Sequence, residues 1–368
     1  MTIPAAFADH GFGRSDPFTV GIEEELLLVD PATHALSNTS SEVLAAMGAS
    51  AASAGHEAFE SEIELRTSAC RTAGEARTEL ASLRAAARGA GATLLGAGLH
   101  PTARWGEAPL VDSDRYRVVG ETMRGLITRT PDCALHVHVA MPDPESAVRA
   151  LCGLRAHLPV LMALGANSPL WFGTDSGMES SRYAHVRAYP RRGVPPACGD
   201  YESYAGSVGE LMRAGGFDDY TLVWWNVRLQ PRIGTVEVRE IDAQARIRDV
   251  AGLVALVQAL ARMEMQEASD SARMASAAAL DELSFLAARD GLEGQVPFEG
   301  GRARLRDVAR AVVERARPHA RELGSEPELD GLDDILESGN GAQRQRAVLA
   351  DGGPEAVLEL LARETAQK

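Results

Sequence analysis

The chain has 368 residues, of which 45% are hydrophobic and 24% charged, an ordinary globular mix long enough to bury one large core or two smaller ones. A formal net charge of −15 argues against nonspecific binding to nucleic acid or anionic membrane, although a local arginine cluster can still hold an anionic substrate. No positively charged start leads into an apolar run and no stretch reads as long enough to span a bilayer, so the expectation is a soluble, cytoplasmic protein.

Residues 1–17 are polar with Gly and Pro, and are expected to be a flexible lead into a single catalytic domain, 18–368, largely helical from about 246. The segment 18–30 predicts a strand ended by Asp30-Pro31. Side chains alternate along a strand, so Glu23 and Glu25 share one face with Leu27 and Val29. Two carboxylates side by side among apolar neighbours repel each other and lose solvation. An ionised pair there needs a cation, and hard oxygen ligands suit magnesium or manganese. A solvated edge strand with its acids in water is the competing interpretation.

Further along, Ser40-Ser41-Glu42 can cap a short helix running to Met47. Alternation over 57–67 predicts a strand with Glu60, Glu62 and Glu64 on one face. The Ala-, Arg- and Glu-rich 72–90 predicts a long helix, 92–99 a buried strand, 114–128 a helix, 134–141 a strand, and 144–166 a helix broken near Pro159. The stretch 167–200 is irregular and rich in Gly, Pro, Ser and Arg, but Trp171, Phe172, Tyr183 and Tyr189 favour an ordered, functional loop. Strands at 221–229 and 234–241 are joined by a hairpin-like turn. Irregular alternation with a hairpin predicts an α+β fold rather than a doubly wound sheet.

His136 and His138 fall on one face of their strand, where either could bind a metal through a neutral nitrogen; satisfied core histidines are the alternative. A His-x-His strand also occurs in zinc-dependent amidohydrolase barrels, but the later histidines, His157, His185 and His319, follow no repeating βα pattern. Glu237 and Arg239 share a face, which suits either a surface ion pair of small value or a metal-binding carboxylate beside a phosphate-binding guanidinium. Arg182, Arg187, Arg191 and Arg192 crowd the irregular stretch, as a phosphoryl-transfer site needs. There is no GxxxxGK[ST] or GxGxxG motif and no G-x-S-x-G elbow. The cysteines Cys70, Cys133, Cys152 and Cys198 form no CxxC pair and read as reduced thiols.

Six segments taken in order resemble the bacterial type-2 glutamate–cysteine ligase family, also called carboxylate–amine ligases: Val-Gly-Ile-Glu-Glu-Glu (20–25), Glu-Ile-Glu-Leu-Arg-Thr-Ser-Ala-Cys (62–70), Gly-Ala-Gly-Leu-His-Pro (96–101), Leu-His-Val-His-Val (135–139), Ala-Asn-Ser-Pro-Leu-Trp (166–171) and Gly-Thr-Val-Glu-Val-Arg (234–239). The resemblance implies a glutamine-synthetase-like fold, a curved antiparallel sheet forming a funnel flanked by helices. It implies ATP and two or three magnesium ions, with manganese as a substitute. ATP would phosphorylate a carboxylate, and an amine would displace phosphate to give an amide. The implied metal ligands are Glu23, Glu25, Glu57, Glu64, His136 or His138, and Glu237. Here the resemblance favours Glu57 with Glu64 over the grouping of Glu60, Glu62 and Glu64. Arg239 and Arg182 take the catalytic and nucleotide- or substrate-binding places, with Arg228 also at the nucleotide. Glutamate is the default acid and cysteine or another small amine the acceptor; partners are small molecules, with a homodimer open and no nucleic acid or membrane.

Two departures bear on substrate. Asn226 stands where many relatives are expected to carry aspartate, and the aromatic order around Glu179-Ser180-Ser181-Arg182-Tyr183 differs from the usual pattern. Two rival functions stay open: a metal-dependent amide hydrolase using His136 and His138, and a degenerate ligase acting as a nucleotide or metabolite sensor. Retention of Glu23, Glu25, Glu64, Glu237 and Arg239 speaks against decay, because a dead site has no reason to keep costly clustered carboxylates.

Overall fold

The computed structural model of the protein describes residues 4–267 and 275–367, and its architecture is organised around the ten-residue strand β1, Val20–Val29. The other strands of the main sheet are β2 (Ala54–His56), β3 (Glu62–Arg66), β4 (Thr93–Leu95), β5 (Ala134–Ala140), β6 (Val227–Gln230) and β7 (Thr235–Asp242). They lie in the order β2-β3-β1-β5-β7-β6, with β4 also paired to β1. Each pairing is antiparallel. This is the α+β arrangement expected, with helices covering one face of an antiparallel sheet.

Alternation sorts the two faces. Ile22, Leu26, Leu28, Ile63, Leu65, Val137, Val139, Val236 and Val238 are buried in the main core. Helices Ala73–Gly89, Pro144–Leu154, Leu158–Gly165 and Ile247–Glu267 supply its other side. The break expected near Pro159 is a short 3-10 turn, Arg155–His157, and Pro159 opens the next helix, where its missing N–H costs nothing. Contrary to the sequence expectation, Pro144–Gly165 is long and apolar enough to cross a membrane, yet 83% of its apolar window is buried inside the protein. It serves as a core helix. On the opposite face, Leu27 and Val29 are covered by Val357, Leu358 and Leu361 of the helix Gly341–Ala366. That cover stops short of the polar end of β1.

A register shift between β5 and β7 sets two residues of β7, Arg239 and Glu240, against one of β5, His136. Such a bulge re-aims side chains, so Glu237 and Arg239 face one side, Ile241 enters the core, and Asp242 returns to the polar side. Three expectations are corrected. The strand expected over 57–67 is only Glu62–Arg66, preceded by a turn that follows β2, so Glu57 and Glu60 do not lie on β3. The 92–99 strand ends at Leu95, because the backbone at Gly96 and Gly98 passes the Gln244 carbonyl and the Asp242 carboxyl so closely that a Cβ would sit 2.3 and 2.6 Å from them. The first of the hairpin strands is shorter than 221–229, since Tyr220–Leu222 is a 3-10 turn. The N-terminal lead is also packed rather than loose: Phe7 and Phe12 are buried against Tyr201, and Gly11 N–H donates to the Pro231 carbonyl at 2.7 Å. Two aromatic side chains supply the apolar contact that outweighs the polar composition.

Candidate functional site

Strand register builds the site. Glu25 pairs with Glu64 across β1 and β3, Glu23 with His136 across β1 and β5, His138 with Glu237 across β5 and β7, and Arg228 with Glu237 across β6 and β7. Directly opposed residues on one face stand side by side, so one row of titratable groups crosses five strands. Glu23, Glu25, Glu64, His136 and Arg228 of this row line a cavity of about 410 Å³ whose walls include Asp132, Arg182, Tyr189 and Arg192, and His138 and Glu237 are buried next to Glu23.

Six of the seven expected metal ligands fall into two clusters. Glu23, His138 and Glu237 form one, and Glu25, Glu57 and Glu64 the other, with ligand atoms in each within 4.8 Å of one another. Glu57 reaches its cluster from the turn after β2. His138 Nδ1 hydrogen-bonds the Thr235 hydroxyl at 3.0 Å, which fixes the ring so that Nε2 faces Glu23 at 3.5 Å and Glu237 at 4.0 Å. That buried Nε2 has no hydrogen-bond partner. A second partner orienting the far nitrogen is what metal-binding histidines use.

His136 belongs to neither cluster. Its Nδ1 lies between Arg239 Nη1 at 3.3 Å and Glu23 Oε2 at 3.4 Å, and its Nε2 faces Glu25 at 3.6 Å. Burial, then the Arg239 charge, push its pKa down to about 3, which keeps the ring neutral. Separating the two histidines in this way removes the geometric basis for a bis-histidine zinc centre among the described residues.

The electrostatics of the clusters differ. Burial, then the Glu57 charge, hold the Glu25 carboxyl well above its usual range. Burial and Glu64 push Glu57 up to about 8, and burial and Glu23 raise Glu64. A divalent cation among these three would take the place of the protons that burial and mutual repulsion otherwise hold there, so the donor set fits a hard cation. In the other cluster, burial is more than offset. His138 and His136 hold Glu23 below the usual range, and Arg228, Arg239 and His138 do the same for Glu237.

The arginines divide by whether their donors are spent. Arg228 lines the cavity but places four N–H bonds, two on Glu237 and one each on the Thr221 and Val223 carbonyls, so it braces Glu237. Arg239 bonds Glu237 through Nη1 and leaves buried Nε without a partner. Arg182 leaves Nε and Nη1 unpartnered, and Arg192 leaves Nε so. Burial, then Arg182, push Arg192 down to about 9. Buried donors left short are costly unless an anion meets them. Arg187 pairs with Asp281 at the surface and Arg191 stacks over Phe217 and Trp224, so both lie outside the site.

Sequence reasoning missed Asp132 and left Glu62 and Arg192 out of the final residue set. Asp132 shares the parity of His136 and His138 when the strand is read backwards, and Glu62 shares that of Glu64; both signals were present. Glu60 turns away and accepts from the hydroxyls of Ser40 and Ser41. Asn226 does not line the cavity. It ties the arginine-rich segment to the sheet, accepting from Gly193 N–H at its side chain and from Arg239 N–H at its carbonyl.

The profile of the glutamate–cysteine ligase family 2 matches residues 19–360. A protein from Rubrobacter xylanophilus named "Putative glutamate--cysteine ligase 2-3" is 42% identical over 96% of this chain and 99% of its own. Another from that organism, "Putative glutamate--cysteine ligase 2-1", is 38% identical over 91% of each chain. The crystal structure of a glutamate–cysteine ligase from Francisella tularensis in complex with AMP shares the fold, with a TM-score of 0.71 at 12% identity over 97% of this chain and 89% of that one. A bifunctional glutathione synthetase from Pasteurella multocida gives a TM-score of 0.68 at 14% identity, covering 98% of this chain and 53% of that one.

Proposed function

This chain belongs to the glutamate–cysteine ligase family 2, and on that premise we propose that it is an ATP-dependent carboxylate–amine ligase, ADP-forming, acting as a single catalytic domain. ATP phosphorylates a substrate carboxylate, and an amine then displaces phosphate to leave an amide. Glutamate is the default acid and cysteine or another small amine the default acceptor, as the names of the relatives suggest. The observation that carries this reading is the conjunction of two adjoining ligand clusters with three cavity-lining arginines, Arg182, Arg192 and Arg239, each of which keeps a buried Nε–H without a partner.

Glu25, Glu57 and Glu64 on one side, and Glu23, His138 and Glu237 on the other, are the residues that would hold magnesium. When bound, magnesium would supply the positive charge that ATP phosphates require. Arg239 stands between the clusters, anchored by Glu237 and free at Nε, where it can meet charge developing on the transferred phosphoryl group. Arg228 keeps Glu237 ionised and in place. The AMP bound to the Francisella tularensis enzyme supports a nucleotide in the same fold. An acyl phosphate survives long enough for the amine to attack only if water is kept from it while the substrates are bound.

The test is phosphate release from ATP with magnesium and glutamate, adding amines one at a time and weighing the products by mass spectrometry. Amine-dependent release with a condensed product is expected. Tight nucleotide binding with no release for any acid or amine would replace the ligase with a sensor.

A further inference from the structure

One wall of the cavity holds an arrangement that the two clusters do not use. Asp132, just before β5, has one carboxylate oxygen engaged and one open. Its Oδ1 accepts from the Tyr189 hydroxyl at 2.9 Å. Tyr189 has spent its only proton there, so its oxygen accepts from His185 Nε2–H at 2.8 Å. His185 is fully buried, with Trp171 edge-on to its ring. The carboxylate is therefore locked from behind. No donor among the described residues hydrogen-bonds Oδ2; Arg182 Nε stands 3.7 Å from it, beyond hydrogen-bond range.

Arg182 mirrors this. It is 2% exposed, and its Nε and Nη1 make no hydrogen bond. Its other carboxylate neighbour, Asp242, lies 3.6 Å from Nη1, but the Asp242 oxygens already accept from Asn167 N–H and from the Ser168 and Ser180 hydroxyls. Two carboxylates balance the guanidinium charge while its donors stay unspent.

An isolated cation at Asp132 would meet the charge of Arg182, and an isolated anion at Arg182 would meet that of Asp132. A ligand carrying both charges on one carbon satisfies both. We propose that Asp132 and Arg182 clamp the zwitterionic head of an α-amino acid, with its ammonium on Asp132 Oδ2 and its carboxylate on Arg182 Nε–H, and that Tyr189 and His185 position Asp132. Which of the two substrates this is rests on the ligase reading: the acid to be activated, or the amine that attacks. If it is the acid, the α-carboxylate is held by Arg182 and the amide must form at a second carboxylate.

Calorimetric binding with magnesium present and no turnover tests the clamp. The probes are L-glutamate against glutarate and 4-aminobutyrate, and L-cysteine against 3-mercaptopropionate and cysteamine. In one series the intact amino acid is expected to bind about 10- to 100-fold tighter than the analogue lacking either charge. Asp132→Asn should erase the advantage over the deaminated analogue. Tyr189→Phe should reduce it about tenfold with ATP affinity unchanged, a loss of charge selectivity that a merely structural tyrosine would not produce, although stranding His185 and Asp132 also lowers the melting temperature. Selectivity in the glutamate series assigns the clamp to the acid, and in the cysteine series to the acceptor. Charge-blind binding in both series, or full selectivity in both variants, overturns it. Phosphate release without charge selectivity would refute the clamp and keep the ligase; selective binding without phosphate release would do the reverse.

Discussion

Three consecutive glutamates on β1 face two environments. Glu24 points into the helix-covered core, where Arg84 grips it with Nε at 2.7 Å and Nη2 at 2.5 Å and then caps the Gln244 and Ala245 carbonyls at 2.8 Å each. Both side chains are almost wholly buried and their polar atoms are engaged. Glu23 and Glu25 point the other way, into a cavity where carboxylates crowd each other and arginines keep donors in reserve. A charge buried to support the fold is saturated by its neighbours. A charge buried for chemistry is left short, and the deficit is filled by what binds.

The contrast can be broken at either face. Arg84→Ala should cost the most, about 3–5 kcal/mol of unfolding free energy, because it strands Glu24 in the core; replacing both Glu24 and Arg84 by leucine should recover part of it. Denaturant titration measures this, and a loss near zero would dissolve the distinction between the faces. Glu25→Gln should do the opposite: phosphate release falls at least about 100-fold, while the melting temperature without metal holds, because burial already favours the neutral carboxyl whose shape glutamine keeps. A drop in both together would make Glu25 a structural residue like Glu24.

Two smaller effects sharpen the picture. Thr235→Val removes the hydroxyl that orients His138, and should weaken magnesium activation about tenfold; an unchanged magnesium titration would take His138 out of the cluster. The last is the pH dependence of stability in chelator. Glu57 is raised from 4.5 to about 8 on folding, so in that interval the folded chain binds a proton that the unfolded chain has released, and stability falls as pH rises. His138, also raised, adds the same sign above 6.5, whereas His136, lowered to about 3, gives the opposite slope below 6.5. From pH 6.5 to 8 the melting temperature should therefore decline without metal, and magnesium should restore more of it at pH 8. A flat profile in chelator would mean that the three carboxylates are not protonated together.

Much of this site was legible because strand parity is a local property. Glu23 with Glu25, His136 with His138, and Glu237 with Arg239 share faces in the structure as their spacing required. Glu57 was not legible from periodicity, since it stands on a turn; only the family resemblance brought it beside Glu64. Arg182 and Arg192 look no different in sequence from Arg187 and Arg191, and their separation into cavity and surface depends on the short helix Ser181–Val186 and on the tie from Gly193 to Asn226.

The sequence by itself determined which residues share a strand face, where several helices begin, and that clustered acids on apolar strands require a counter-charge, because these follow from backbone period, capping and desolvation within a few residues. Tertiary structure alone decided that Glu23, His138 and Glu237 form one cluster while His136 stands outside both, that Arg228 is spent and Arg182 is not, and that Asp132 keeps one oxygen open. Those outcomes depend on sheet register, on one bulge in β7, on the pairing of Arg228 with Glu237 across the β6–β7 hairpin and on the bond from Tyr189 to the distant Asp132, which no periodic pattern encodes.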